Sequence, residues 1–148
     1  MESLVGDVLN KKGWFIHTIE GEATVFEAIS KMVELNIGSL VVCDEHCHIA
    51  GIMTERDYLT KIALKGRSSS ETKVEEIMTK KVVVIEPGFT IKQCLYLMTE
   101  KRCRHLPVIR DGGVAGLISI GDCAREISYD REITVRYFTD FIQRRYPV

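Results

Sequence analysis

The chain has 148 residues, 45% of them hydrophobic and 28% charged, and a formal net charge of −1. That length supports one well-buried core, and acids and bases interspersed at near-neutral balance exclude the basic stripe that duplex-binding proteins lay against phosphate backbones. No apolar run approaches the ~20 residues needed to cross a bilayer, and the N-terminus lacks the basic, apolar, small-residue order of a signal peptide.

The first predicted element is a short amphipathic turn of helix from Val5 to Leu9, followed by a β-prone stretch from Trp14 to Ile19. Thr24-x-x-Glu27 then fits a capping box, and behind it Val25, Ala28, Ile29, Met32 and Val33 recur at helical spacing with one buried face. Ser39 to Cys43 and Ile49 to Met53 read as a hairpin, after which Thr54 starts another helix. Gly66-Arg67-Ser68-Ser69-Ser70 has the composition of a flexible, hydrogen-bonding connection.

The pattern then repeats. Val74 to Met78 returns the opening helix, Val82 to Ile85 the β-prone stretch, and Thr90-x-x-Gln93 the capping box, with Ile91, Cys94, Leu95 and Met98 as the buried face. Leu106 to Ile109 and Val114 to Ile118 form a second hairpin around Asp111-Gly112-Gly113, and Ser119 opens the last helix of the repeat. Gly51-Ile52-Met53-Thr54-Glu55-Arg56-Asp57 is echoed by Gly116-Leu117-Ile118-Ser119-Ile120-Gly121-Asp122, the offset drifting from 69 through 66 to 65 along the chain. The expected architecture is α/β (α+β): tandem β-α-β-β-α repeats packed as a pseudo-twofold pair, over 1–66 and 74–130, with a linker at 67–73. Ile133, Tyr137, Phe138, Phe141 and Ile142 predict a C-terminal helix over 131–148. Two half-sized units packed on each other would make a candidate ligand site in duplicate.

Thr54-x-x-Asp57 and Ser119-x-x-Asp122 sit where a strand ends and a helix begins. The pattern is itself a capping signature. The same geometry offers N–H groups and a hydroxyl to a phosphate and a carboxylate to both hydroxyls of a ribose, and its duplication weighs toward a nucleotide site. Arg104 and His105, at the entry to the second hairpin, can contact phosphate, with Arg102 close by. The matching first-copy residues begin Gly38-Ser39, without a cation, so a phosphate there would be met by Arg56, by Arg67 with Ser68 and Ser69, or by nothing. The two sites are therefore expected to differ.

Cys43, His46, Cys47 and His48 resemble zinc ligands, but all four fall within one hairpin turn with no second pair downstream, so no metal site is assigned. Cys43 reads as strand core and Cys47 as an exposed thiol open to redox chemistry. The odd count of five cysteines, three within apolar periodic segments, reads as reduced thiols in an intracellular compartment: cytoplasmic, or mitochondrial if a transit peptide has been removed. No nucleophile elbow, phosphate-binding Gly-Lys loop or His-Glu-x-x-His stretch occurs, which favours binding over turnover.

Taken together, Gly-Ile-Met-Thr-Glu-Arg-Asp-Tyr, Met-Thr-Glu-Lys-Arg-Cys-Arg-His-Leu-Pro-Val-Ile and Gly-Leu-Ile-Ser-Ile-Gly-Asp resemble a cystathionine-β-synthase (CBS) domain pair, the Bateman module. The likeness is greatest to the stand-alone pairs of bacteria and plant mitochondria, through residues 54–58, 66–69 and 77–79. The resemblance implies a non-enzymatic energy-sensing module that takes an adenine nucleotide (AMP, ADP, ATP, S-adenosylmethionine or NAD), with no catalytic cofactor, and that associates into dimers. Carried over, Asp57 and Asp122 would hold ribose, Thr54 and Ser119 would contact phosphate, Arg104 and His105 would add to it, and the β-stretches around Thr18 and Val84 would line adenine pockets. Gly38 departs from the charged pattern. The partners expected are the nucleotide, a second copy and a regulated protein, for which plant relatives suggest a thioredoxin-type protein. The rival reading is a nucleotide-indifferent interaction scaffold or a redox-linked partner-binding protein.

Overall fold

The computed structural model describes residues 2–128, so the helix expected over 131–148 lies outside the described residues. The chain order is α1 (Val5–Lys12), β1 (Thr18–Ile19), α2 (Val25–Leu35), β2 (Ser39–Cys43), β3 (Ile49–Thr54), α3 (Glu55–Tyr58), a π-helical turn (Leu59–Ala63), α4 (Val74–Ile77), α5 (Ile91–Lys101), β4 (His105–Arg110), β5 (Gly113–Ser119) and α6 (Ile120–Glu126). Helices and small sheets alternate as the sequence predicts.

Both long helices begin as their capping boxes require. Thr24 Oγ1 accepts from Glu27 N–H at 3.1 Å, and Thr90 Oγ1 accepts from Gln93 N–H at 3.1 Å. They also end alike, on a left-handed residue: Asn36 (φ 54°) after α2 and Arg102 (φ 53°) after α5.

The first sheet has order β1-β2-β3, with β1 parallel and β3 antiparallel to β2. The second contains only the β4-β5 hairpin, closed by a turn with positive φ at Asp111 (54°) and Gly112 (81°). The stretch Val82 to Ile85, expected as a strand, pairs at one residue only, Ile85 with Val108. Pro107 explains the difference. Ile85 N–H donates to Pro107 O at 3.0 Å, and the next rung would need an N–H that proline lacks. In the first copy Val41 occupies that position and its N–H donates to His17 O at 3.3 Å.

The packing units cut across the sequence repeats. Among the described residues, one compact unit joins 2–15, Val83–Arg110 and 115–128; the other is Ile16–Val82 with Asp111–Val114. In the first unit, Val5, Val8 and Leu9 of α1 are buried with Ile91, Leu95 and Met98 of α5 and Leu106, Val108 and Ile118 of the hairpin. In the second, Val74 and Ile77 of α4 are buried with Val25, Ala28 and Met32 of α2 and Leu40, Val42 and Met53. Each opening helix therefore completes the core of the other copy's elements.

Main-chain hydrogen bonds fix that exchange identically in both units. Val5 and Gly6 N–H donate to Phe89 O and Pro87 O, while Ile91 N–H donates to Ser3 O. Correspondingly, Val74 and Glu75 N–H donate to Ala23 O and Gly21 O, while Val25 N–H donates to Thr72 O. The free donors at the start of one helix are thus satisfied by the loop that starts another.

Candidate functional site

In the unit containing α2, Thr54 is the N-cap of α3. Its Oγ1 accepts from Asp57 N–H at 3.2 Å, and its own N–H donates to Asp57 Oδ2 at 3.0 Å. This closed capping box accounts for the Thr-x-x-Asp spacing by itself. It does not account for what else surrounds the carboxylate. Asp57 is only 5% exposed, Lys61 Nζ donates to its Oδ1 at 2.9 Å and to Ile77 O at 2.7 Å, and Thr79 Oγ1 donates to the same Oδ1 at 3.2 Å.

The unit containing α5 repeats the arrangement. Ser119 Oγ accepts from Asp122 N–H at 3.1 Å and Ser119 N–H donates to Asp122 Oδ2 at 2.8 Å. Asp122 is 4% exposed; Lys12 Nζ donates to its Oδ2 at 2.7 Å and to Leu117 O at 2.9 Å, and Arg125 donates to its Oδ1. Burial on its own would raise the Asp122 carboxyl, but the hydrogen bonds from Lys12 and Ser119 outweigh it and hold it below the usual carboxylate range.

The two threonine boxes that open the long helices provide an internal control. Glu27 and Gln93 occupy the same third position after a threonine cap and lie exposed. Capping alone therefore leaves that side chain in solvent. Aspartates are almost never this buried unless paired, and here two are, at equivalent points of a repeat, each with a lysine that also ties a main-chain carbonyl.

Arg104 and His105 lie with Asp122. Burial, then the nearby charges of Arg104 and Lys12, push the His105 imidazole down to about 4, so it is neutral at ordinary pH. The Arg104 carbonyl accepts from Ile120 N–H at 2.9 Å, as the Gly38 carbonyl accepts from Glu55 N–H at 3.1 Å, which makes Arg104 and Gly38 structural counterparts.

The remaining expected residues fall as follows. Thr18 is in β1, its carbonyl accepting from Lys31 Nζ at 2.5 Å, and Val84 is 41% exposed beside the Ile85 bridge. Arg56 is exposed on α3. Arg67 pairs with Glu76 at 2.9 Å and Ser68 hydrogen-bonds Ser70, contacts separate from those around Asp57. Sequence reasoning missed Lys12, Lys61 and Thr79. Lys61 was legible as an i,i+4 partner of Asp57. Lys12 and Thr79 reach their carboxylates only through the exchange of opening helices, which no local pattern announces.

The hairpin turn 43–49 is organised by Asp44, whose Oδ1 accepts from His46 and His48 N–H at 2.8 and 2.9 Å. Among the described residues no group of three or more His, Cys, Asp or Glu side chains is placed to hold a metal ion, and no helix is long and apolar enough to cross a membrane. Shallow depressions of about 350 Å³ on α5 (around Phe89 and Tyr96) and about 570 Å³ on α2 (around Phe26 and Lys31) are lined by none of the carboxylate-site residues.

The CBS domain family model matches residues 5–64 and again 74–129. The mitochondrial CBS domain-containing protein CBSX3 of Arabidopsis thaliana is 39% identical over 152 residues, covering 96% of this chain and 73% of that protein. Among solved structures, a CBS-domain protein from Burkholderia ambifaria is 45% identical with a TM-score of 0.82, covering 87% of this chain and 96% of that one. One from Agrobacterium tumefaciens is 36% identical with a TM-score of 0.79, covering 84% and 98%. Two tandem matches that together span most of the residues, and a fold shared at this level of identity, place the chain in the CBS domain family, as a tandem pair of CBS domains.

Proposed function

We propose that this protein is a regulatory module that binds an adenosine-containing nucleotide through Asp57 and Asp122 and passes its occupancy to a partner protein. Pairs of this family are regulatory modules rather than enzymes and commonly bind nucleotides. The observation that carries the reading is the buried, lysine-held carboxylate that occurs once per unit at equivalent positions. A carboxylate of this kind accepts both hydroxyls of a ribose, and Thr54 or Ser119 beside it supplies a hydroxyl to phosphate. AMP and NAD are the first candidates, with ATP and ADP behind them, since all present adenosine and phosphate to the same groups. Differential affinity of the nucleotide for two arrangements of the protein would drive the signal. Exposed Phe26, Val33 and Tyr96 offer apolar surface for self-association as a homodimer. By analogy with the mitochondrial relative, the protein would act in that organelle or in the cytoplasm.

Calorimetric titration of the nucleotide-stripped protein with AMP, ATP, NAD and S-adenosylmethionine tests this. Saturable binding near −8 kcal/mol, roughly a micromolar Kd, that weakens at least about tenfold in Asp122→Ala while the fold is retained is the expected result. Unchanged affinity in the folded variant would refute the ribose assignment. Binding by none of the four, with partner capture indifferent to nucleotide, would leave an interaction scaffold.

A further inference from the structure

Both oxygens of Asp122 are already occupied: Oδ2 accepts from Ser119 N–H and Lys12 Nζ, and Oδ1 accepts from Arg125. Two cations, Lys12 and Arg125, thus pair with this carboxylate, and a third, Arg104, acts with Lys12 on the neighbouring His105. The counterpart position is composed differently. Asp57 has Lys61, but Gly38 stands in place of Arg104 and Glu55 in place of Ile120, with Glu55 Oε1 only 3.4 Å from where a side chain on Gly38 would begin. Arg56 follows Glu55 in sequence and is exposed, so over residues 55–61 the two cations Arg56 and Lys61 are matched by the two carboxylates Glu55 and Asp57.

A ribose that donates both hydroxyls to Asp122 needs a position on Oδ2, where the Ser119 N–H is fixed by the cap. It therefore takes the place of Lys12, the ammonium and the sugar hydroxyl being donors that compete for that oxygen. The displaced ammonium then stands beside Arg104 and Arg125 with its counter-charge removed. A nucleoside offers nothing in return, whereas a phosphate gives all three cations a new acceptor. We propose that Lys12 is the specificity-determining residue of the Asp122 position, making it selective for nucleotides that carry phosphate over the corresponding nucleosides. This rests on the nucleotide-binding reading given above. The Asp57 position, balanced in charge, discriminates less.

The test uses the full chain with Asp57→Asn to silence the second position, titrated calorimetrically with AMP and with adenosine. With Lys12 present, AMP binds at least about tenfold more tightly than adenosine, the scale of one charge-assisted hydrogen bond. In Lys12→Met the ratio falls to about threefold or less and adenosine itself binds more tightly, because its competitor is gone; Lys12→Arg restores discrimination. An unchanged ratio in Lys12→Met, or adenosine binding as tightly as AMP when Lys12 is present, overturns the inference while AMP binding lost in Asp122→Ala keeps the broader reading intact. Absence of AMP binding overturns this inference, whereas the broader reading falls only if ATP, NAD and S-adenosylmethionine also fail to bind the unsubstituted chain. Salt supplies a measurement that needs no change at Lys12: added KCl weakens AMP binding and strengthens adenosine binding, and parallel weakening of the two would refute the competition.

Discussion

Leu9 stands where a side chain at position 116 would go: a Cβ on Gly116 would lie 2.9 Å from Leu9 Cδ1. Gly51 has the same relation to the other exchanged segment, with a Cβ falling 2.7 Å from both Met78 Sδ and Thr79 O. The two glycines are where the opening helix of each exchanged pair lies against a strand. Gly116→Ala meets the end of a side chain that can give slightly and should cost about 1 kcal/mol. Gly51→Ala meets a main-chain carbonyl fixed by the Ile52–Thr79 bridge and should cost about 2–3 kcal/mol. Urea unfolding of the two variants gives the order, and an equal or reversed cost would show that the exchanged segments are not held as described.

Arg102 closes α5 at φ 53°, where its counterpart after α2 is Asn36 at φ 54°. A left-handed helix end suits glycine or asparagine and strains a long side chain. Arg102→Asn should therefore stabilise the protein by about 0.5–1 kcal/mol, seen as a higher Tm. A lower Tm would mean that the guanidinium makes compensating contacts.

His105 titrates at about 4 in the fold against 6.5 in the unfolded chain, because burial and then Arg104 and Lys12 disfavour its charged form. Between those values the unfolded chain takes up a proton that the fold refuses, so acid favours unfolding from pH 6.5 downward toward pH 4. The loss between pH 7 and pH 5 is about 1–2 kcal/mol. His105→Asn removes that segment of the pH dependence, and an identical stability–pH curve for the variant would contradict the assignment.

Native thiol labelling should be graded. Cys47 is exposed at the tip of its hairpin, whereas Cys43, Cys94 and Cys123 are buried. Burial pushes the Cys43 thiol up against the opposing hydrogen bond from Thr18, and the hydrogen bond with Cys94, then burial, pushes Cys123 up further. Mass spectrometry after brief alkylation should find Cys47 modified first and Cys94 and Cys123 modified only on unfolding. Early labelling of Cys123 would show that the α5–α6 contact opens readily.

What the sequence discloses and withholds follows from how local each signal is. The four caps at Thr24, Thr54, Thr90 and Ser119 were legible because a cap joins residues three apart, and the helices behind them follow from apolar spacing. Asp57 and Asp122 were legible as a duplicated motif, but their burial was not, since it depends on tertiary packing. Val82 to Ile85 carried strand propensity that one proline on the neighbouring strand annulled at the level of a single hydrogen bond. The run after Asp57 read as simple helix and contains a π turn closed by Leu64 N–H to Leu59 O at 3.0 Å. Lys12 carried no local signal, because its partner lies 110 residues away in sequence.

The crossed assignment of α1 and α4 bears on how such a chain could have arisen. A lone ancestral repeat would carry an opening helix suited to a core other than its own, so two identical chains would have had to lend each other that helix before either was complete. Fusing two such genes turns a mutual loan between molecules into an internal one. It also frees the copies to diverge, one keeping arginine and the other glycine at positions 104 and 38. By the same logic, cutting between Gly66 and Lys73 yields two fragments that are each incomplete alone and complementary when mixed.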